Sequence, residues 1–86
     1  MKSFEYTVID PLGLHARPAG MLAKEAKKYT SVCTVTRDGT TVKASQLMKL
    51  MSLAVKQGQT ITVAAEGEDE DTAIAALKAF FEDNKL

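Results

Sequence analysis

Apolar and polar residues alternate along Phe4-Glu5-Tyr6-Thr7-Val8-Ile9. The period of two, carried by aromatic and β-branched residues, predicts a strand with one face on a core. Asp10-Pro11-Leu12-Gly13 then interrupts the pattern with turn formers. From Ala16 to about Tyr29 the period becomes helical: Ala19, Leu22, Ala23 and Ala26 recur at i, i+3, i+4 and i+7 and define a buried stripe. Arg17, Gly20, Met21, Lys24 and Lys28 keep the same period on another face, which is left to solvent as a basic, partly apolar surface.

Val32–Arg37 and Thr40–Lys43 flank Asp38-Gly39, a two-residue hairpin signal that predicts an antiparallel pair. Ser45 is suited to cap a short helix in which Leu47, Leu50, Met51 and Ala54 keep helical spacing, ending near Gln57-Gly58. Leu50 and Leu53 are assigned to the core. One face of a short helix cannot also bury Leu47, Met48 and Met51, so some of these are expected outside. Thr60–Glu66 reads as a strand with Ile61, Val63 and Ala65 on one side, ended by Gly67. Glu68-Asp69-Glu70-Asp71 suits the positive end of a helix dipole better than a free acidic patch. Ala73, Ile74, Leu77, Phe80 and Phe81 form the apolar face of that last helix. The order β-α-β-β-α-β-α predicts an α+β open-faced sandwich: a four-stranded, mainly antiparallel sheet with three helices on one face, residues 1–86 making one domain.

Composition narrows the function. Eighty-six residues support one modest core and leave no room for a separate catalytic domain. No apolar run approaches the roughly 18 residues that span a membrane, so no membrane insertion is expected. Met1-Lys2-Ser3-Phe4-Glu5 lacks the apolar stretch of a signal peptide, which points to the cytoplasm. Cys33 and His15 are the sole cysteine and histidine; no disulfide, zinc site or other metal or cofactor is expected, and Cys33 reads as a buried structural thiol. Net charge is zero, yet residues 1–58 hold nine Lys/Arg against four Asp/Glu and residues 59–86 hold two against seven. That segregation suggests a basic surface for acidic partners.

The chemistry gathers in Gly13-Leu14-His15-Ala16-Arg17-Pro18-Ala19. Pro18 is tolerated in the first turn of a helix, so the helix opens around Ala16 to Pro18, with unpaired N–H groups and the positive end of the dipole facing an anion. His15 then stands as a nitrogen nucleophile beside a phosphate cradle formed by the Ala16, Arg17 and Pro18 region. Arg17 adds a planar, permanently charged donor for phosphate oxygens.

This run resembles the active-site signature of the HPr family, the histidine-containing phosphocarriers of the bacterial phosphoenolpyruvate-dependent sugar phosphotransferase system. The resemblance extends over nearly the whole chain. It implies the same fold and a carrier rather than a stand-alone enzyme: His15 takes a phosphoryl group on Nδ1 from enzyme I and passes it to enzyme II A components of sugar transporters, with transcriptional regulators as further candidate partners. Ser45–Leu53 resembles the short helix that borders the active histidine in that family, which implicates Leu47, Met48 and Met51 in docking, with Lys49 at the rim and Gly20, Met21 and Lys24 on the neighbouring helix.

The chain departs from the family at Gln46, which stands where many members carry a regulatory serine. Ser45 is one residue earlier, a rotation of about 100° on a helix, so no regulation by an HPr kinase is expected. A monomer is expected, since a carrier exposes one face to successive partners. Two other classes compete. An interaction module of the same family binds without accepting phosphate, but such relatives lack the active histidine. An RNA-binding domain needs exposed aromatic residues on a basic sheet face, and three Phe and two Tyr offer little for one, so no nucleic acid partner is expected.

Overall fold

A computed structural model describes residues 1–86, with β1 Lys2–Thr7, α1 Ala16–Ala26, β2 Val32–Arg37, β3 Thr40–Lys43, α2 Leu47–Ser52, β4 Thr60–Glu66 and α3 Glu70–Asp83. The strands lie in the order β1-β4-β2-β3, and every neighbouring pair is antiparallel. The β-α-β-β-α-β-α order and the open four-stranded sheet are those anticipated from the residue pattern.

Register explains which side of the sheet is covered. Phe4, Val63, Val35 and Val42 stand opposite one another across all four strands, and Tyr6 stands opposite Ile61. These side chains point to the helices: Phe81 of α3 lies 5.0 Å, ring to ring, from Tyr6 and 6.2 Å from Phe4. Leu22 of α1, Leu50 of α2 and Leu77 of α3 complete a core in which Val35, Ile61, Val63 and Phe81 are also fully buried. The alternate positions, Glu5, Thr34, Thr36, Thr41 and Thr62, face away, and Thr36 and Thr41 join hydroxyls at 2.7 Å. Burying one large apolar side chain contributes about 1.5–3 kcal/mol, whereas exposed ion pairs such as Lys28–Glu25 contribute less than about 1. Stability therefore resides in the helix–sheet layer.

The hairpin forms as its Asp-Gly signal requires. Asp38 and Gly39 take φ of 49° and 81°, the paired positive values of a turn whose twist matches the flanking strands. Ile74 and Phe80 are half-buried beside the fully buried Ala73, Leu77 and Phe81 on α3. Cys33 is free and buried, and that burial, with a smaller effect of Asp69, pushes its thiol pKa up.

The boundaries of β1, α1 and α2 differ from the sequence expectation. β1 starts at Lys2 and stops at Thr7 rather than reaching Ile9, because Thr7 pairs with Thr60, the first residue of β4; Ile9 turns instead to Leu86. α1 stops at Ala26 rather than Tyr29, because the next turn tightens into the i→i−3 bonds Lys28 to Glu25 and Tyr29 to Ala26. α2 ends at Ser52, and Ala54 adopts a left-handed φ of 51° that no helix continues. Its N-cap is Gln46 rather than Ser45, and it makes no side-chain capping bond. Among the acids before α3, only Glu70 and Asp71 lie in its first turn. Asp69 turns to the loop before β2, accepting the backbone N–H groups of Thr30 and Ser31, each at 2.9 Å, and the Ser31 hydroxyl.

Candidate functional site

The loop from Val8 to His15 is held from three directions. Asp10 donates its backbone N–H to the main-chain oxygen of Leu86 at 2.9 Å, and Ile9 donates to the same oxygen at 2.8 Å. Gly13 returns its N–H to the Asp10 carbonyl at 2.9 Å, and Leu14 donates to the Val55 carbonyl at 3.0 Å. Gly13 has a φ of 68°, and a Cβ there would overlap the Val55 carbonyl and lie 2.8 Å from Cα of Lys56, so close approach as well as backbone conformation demands glycine. Leu14 is buried and anchors the chain one residue before the imidazole.

His15 is the N-cap of α1, with extended backbone (φ −83°, ψ −175°) and no side-chain capping bond. Its carbonyl accepts the Ala19 N–H at 3.0 Å, which starts the helix. The hydrogen bonds that secure this turn use neither the Ala16 nor the Arg17 N–H, and Pro18 has none to offer. Two donors at the positive end of an eleven-residue helix thus stand beside an imidazole that is one-third exposed. Arg17 is exposed and Pro18 is buried.

These residues line a cleft of about 200 Å³ whose wall is Asp10, His15, Arg17, Pro18, Met21, Asn84 and Leu86. The cleft brings His15, Arg17, Pro18 and Met21 together as neighbours. Three of its members escape a reading of the sequence. Asp10 carried a usable signal: an Asp two residues before Leu12 in a Pro-containing turn is placed to accept that residue's N–H, and it does so at 2.9 Å. Asn84 and Leu86 arrive from the far end of the chain and left no local signal.

The surface around the cleft is apolar where α1 and α2 pack against each other. Met21, Leu47 and Met51 are partly exposed, and Met48 is 76% exposed; Lys24 and Lys49 are exposed beside them. Gly20 is half-buried, with open space where a Cβ would project. Leu12, 72% exposed in the loop before His15, is a further exposed large apolar residue, one whose sequence context signals only a turn. Ser45 is half-buried and lines a separate cleft with Lys27, Tyr29, Ser31 and Lys43, away from the residues that surround His15. Gln46 is exposed at the start of α2. No three His, Cys, Asp or Glu side chains are grouped to hold a metal ion.

Residues 2–83 match the family described as the PTS HPr component phosphorylation site. The chain belongs to the HPr family. It is 42% identical over 87 residues to the phosphocarrier protein HPr of Mycoplasma genitalium, a relationship covering 100% of this chain and 99% of the relative. The solved structure of a mycoplasma histidine-containing phosphocarrier protein superposes with a TM-score of 0.96 at 40% identity, covering 99% of this chain and 97% of that one. The HPr fold is also shared with the Bacillus subtilis catabolite repression protein Crh, with a TM-score of 0.77 at 40% identity over 96% of this chain and 95% of that one. That Crh structure is a dimer with a swapped domain, so a monomer is not a rule among these relatives. No helix of the HPr domain described here is long and apolar enough to cross a membrane.

Proposed function

We propose that this chain is a phosphoryl carrier, one HPr domain over residues 1–86, that takes a phosphoryl group from enzyme I on Nδ1 of His15 and delivers it to enzyme II A components of sugar transporters in the cytoplasm. The observation that carries the reading is the position of His15: an imidazole at the N-cap of α1, uncommitted to capping, at the helix start that leaves the Ala16 and Arg17 N–H groups free, in a cleft that Arg17 also lines. Neutral imidazole has a free lone pair near neutral pH and forms covalent phosphoryl adducts. The helix terminus and Arg17 supply hydrogen-bond donors to the phosphoryl oxygens in both the phosphorylated and the transferring state, which holds the group without locking it in place.

The exposed residues of α1 and α2 suit docking. Flexible methionines present one apolar surface to partners of several shapes, and Lys24 and Lys49 give it a basic rim. Gln46 at the N-cap of α2 places no hydroxyl where a regulatory phosphate is expected, so regulation by serine phosphorylation forms no part of the proposal. An RNA-binding reading finds no support in the aromatic residues: Phe4 and Tyr6 face the helices, and Phe80 and Phe81 belong to α3.

The test is incubation with phosphoenolpyruvate and enzyme I, followed by intact and tandem mass spectrometry under non-acidic conditions. One acid-labile phosphate on His15, absent from His15→Ala, is the expected result. Failure of a folded sample to accept phosphate from an active enzyme I, or normal acceptance by His15→Ala, would reject the assignment.

A further inference from the structure

Asp10 is built into the site more firmly than a surface turn requires. Its backbone N–H is spent on Leu86, its carbonyl on the Gly13 N–H, and its Oδ1 on the Leu12 N–H at 2.9 Å. Every polar group of the residue except Oδ2 is thereby fixed, and Oδ2 is the atom that faces His15, 3.6 Å from Nε2. That separation is longer than a hydrogen bond but well within the range at which a carboxylate biases a neighbouring proton. Asp10 supplies the only carboxylate side chain in the wall of the cleft; besides His15 itself, the cleft's other polar side chains are Arg17 and Asn84, and the Asn84 amide donates to the Phe80 carbonyl at 2.8 Å.

We propose that Asp10 is a positioning residue that keeps the proton of neutral His15 on Nε2 and so leaves the Nδ1 lone pair free for phosphoryl transfer. The inference rests on the carrier reading above and assigns a role to a residue which that reading does not use. In the transfer, the Nδ1 lone pair forms a new N–P bond while the donor's P–N bond breaks and returns its electron pair to the donor imidazole. The Nε2 proton of His15 stays in place. The positive charge that develops on the His15 ring then lies beside the Asp10 carboxylate. In the onward step the N–P electron pair returns to Nδ1, and His15 departs as a neutral imidazole still protonated at Nε2. A ring that lost that proton would have to leave as an anion, so the same contact serves both halves of the relay. The logic is that of a carboxylate that orients a catalytic imidazole and selects its tautomer.

Asp10→Asn separates this role from that of the turn. The amide oxygen can still accept the Leu12 N–H, which directs the NH₂ group at His15; a donor there pairs only with unprotonated Nε2 and moves the proton to Nδ1, the nucleophile. Two readouts apply. Long-range proton–nitrogen NMR on imidazole-labelled protein, at a pH where His15 is neutral, measures the tautomer without any phosphoryl transfer. Phosphorylation by phosphoramidate, a small donor that requires no docking surface, measures the nucleophile. The expected result is a fall in the Nε2–H fraction and a rate about tenfold below that of the unaltered protein, with the amide spectrum of the rest of the chain preserved. An unchanged tautomer ratio in Asp10→Asn would overturn the proposal, and so would a changed ratio accompanied by an unchanged rate. If the unaltered protein accepts no phosphate on His15 from either phosphoramidate or enzyme I, the carrier reading falls, while the tautomer measurement still decides whether Asp10 sets the proton.

Discussion

Leu14 donates its backbone N–H to the Val55 carbonyl at 3.0 Å, and this bond fastens the residue before His15 to the segment that follows α2. Gly13 lies against the same carbonyl so closely that no side chain fits. The loop bearing the imidazole and the helix bearing the exposed methionines are therefore held in one frame.

Gly13→Ala forces that frame apart. Its φ of 68° is unfavourable for alanine and its Cβ meets backbone rather than a movable side chain, so a loss of about 1–3 kcal/mol is expected. Urea unfolding measures the loss. Shifts in the backbone amides of Leu14, His15 and Val55 in an NMR spectrum would show that the displacement reaches the imidazole; an unperturbed His15 would mean that the loop absorbs the clash locally.

Arg17→Ala leaves the fold intact, because the side chain is exposed and belongs to no ion pair. Phosphoryl acceptance slows roughly ten- to hundredfold, the equivalent of one charge-assisted hydrogen bond of about 1.5–3 kcal/mol. Arg17→Lys restores the charge without the planar fork and recovers only part of the rate. Initial rates with enzyme I, set beside melting temperatures, test both statements.

Acid destabilises the protein through Asp69. The Ser31 hydroxyl, followed by the Thr30 N–H, draws its carboxyl from the usual carboxylate range down to about 2. An unfolded aspartate titrates near 3.9, so between roughly pH 4 and pH 2 the unfolded chain binds more protons than the folded one. The contribution of Asp69 is thus complete above about pH 4 and drains away as pH falls through the folded value. Urea midpoints recorded from pH 2 to pH 5 should fall with acidity, and Asp69→Asn should flatten the slope. Glu70, whose carboxyl is lowered by the Gly67 N–H and then by the amino terminus, keeps a residual slope in that variant.

Gly20→Ala separates folding from docking. Glycine inside a helix costs about 0.5–1 kcal/mol relative to alanine, and a Cβ at this position meets nothing within 4 Å. The variant should melt higher. If the exposed face of α1 seats enzyme I closely, its enzyme-dependent phosphorylation should nevertheless slow while its reaction with phosphoramidate is unchanged; equal rates with both donors would remove Gly20 from the docking surface.

What the sequence disclosed, it disclosed through local chemistry. The two periods of hydrophobicity marked β1, α1, α2, β4 and α3, Asp38-Gly39 announced the turn between β2 and β3, and the run from Gly13 to Ala19 pointed to His15, Arg17 and the helix start. Errors arose where distant parts of the chain decide the outcome. Ser45 has the better intrinsic preference for a cap, yet Ala44 is fully buried and donates to the Cys33 carbonyl at 2.8 Å, which holds the chain back so that the helix begins one residue later, after Gln46. Asp69 spends its carboxylate on Thr30 and Ser31, 39 and 38 residues away, rather than on its own helix. Asp10 and His15 are near in sequence, but the backbone bonds that aim one at the other come from Leu86 and Gly13.

Leu86 closes a circuit. Its N–H returns to the Phe81 carbonyl at 3.0 Å, its side chain is buried, and its main-chain oxygen takes the N–H groups of Ile9 and Asp10. The last turn of α3 thus acts as an abutment for the loop that aims Asp10 at the imidazole. Fraying at that helix end would be felt as slack at His15, which makes the part of the chain farthest from that residue in sequence one of its nearest mechanical supports.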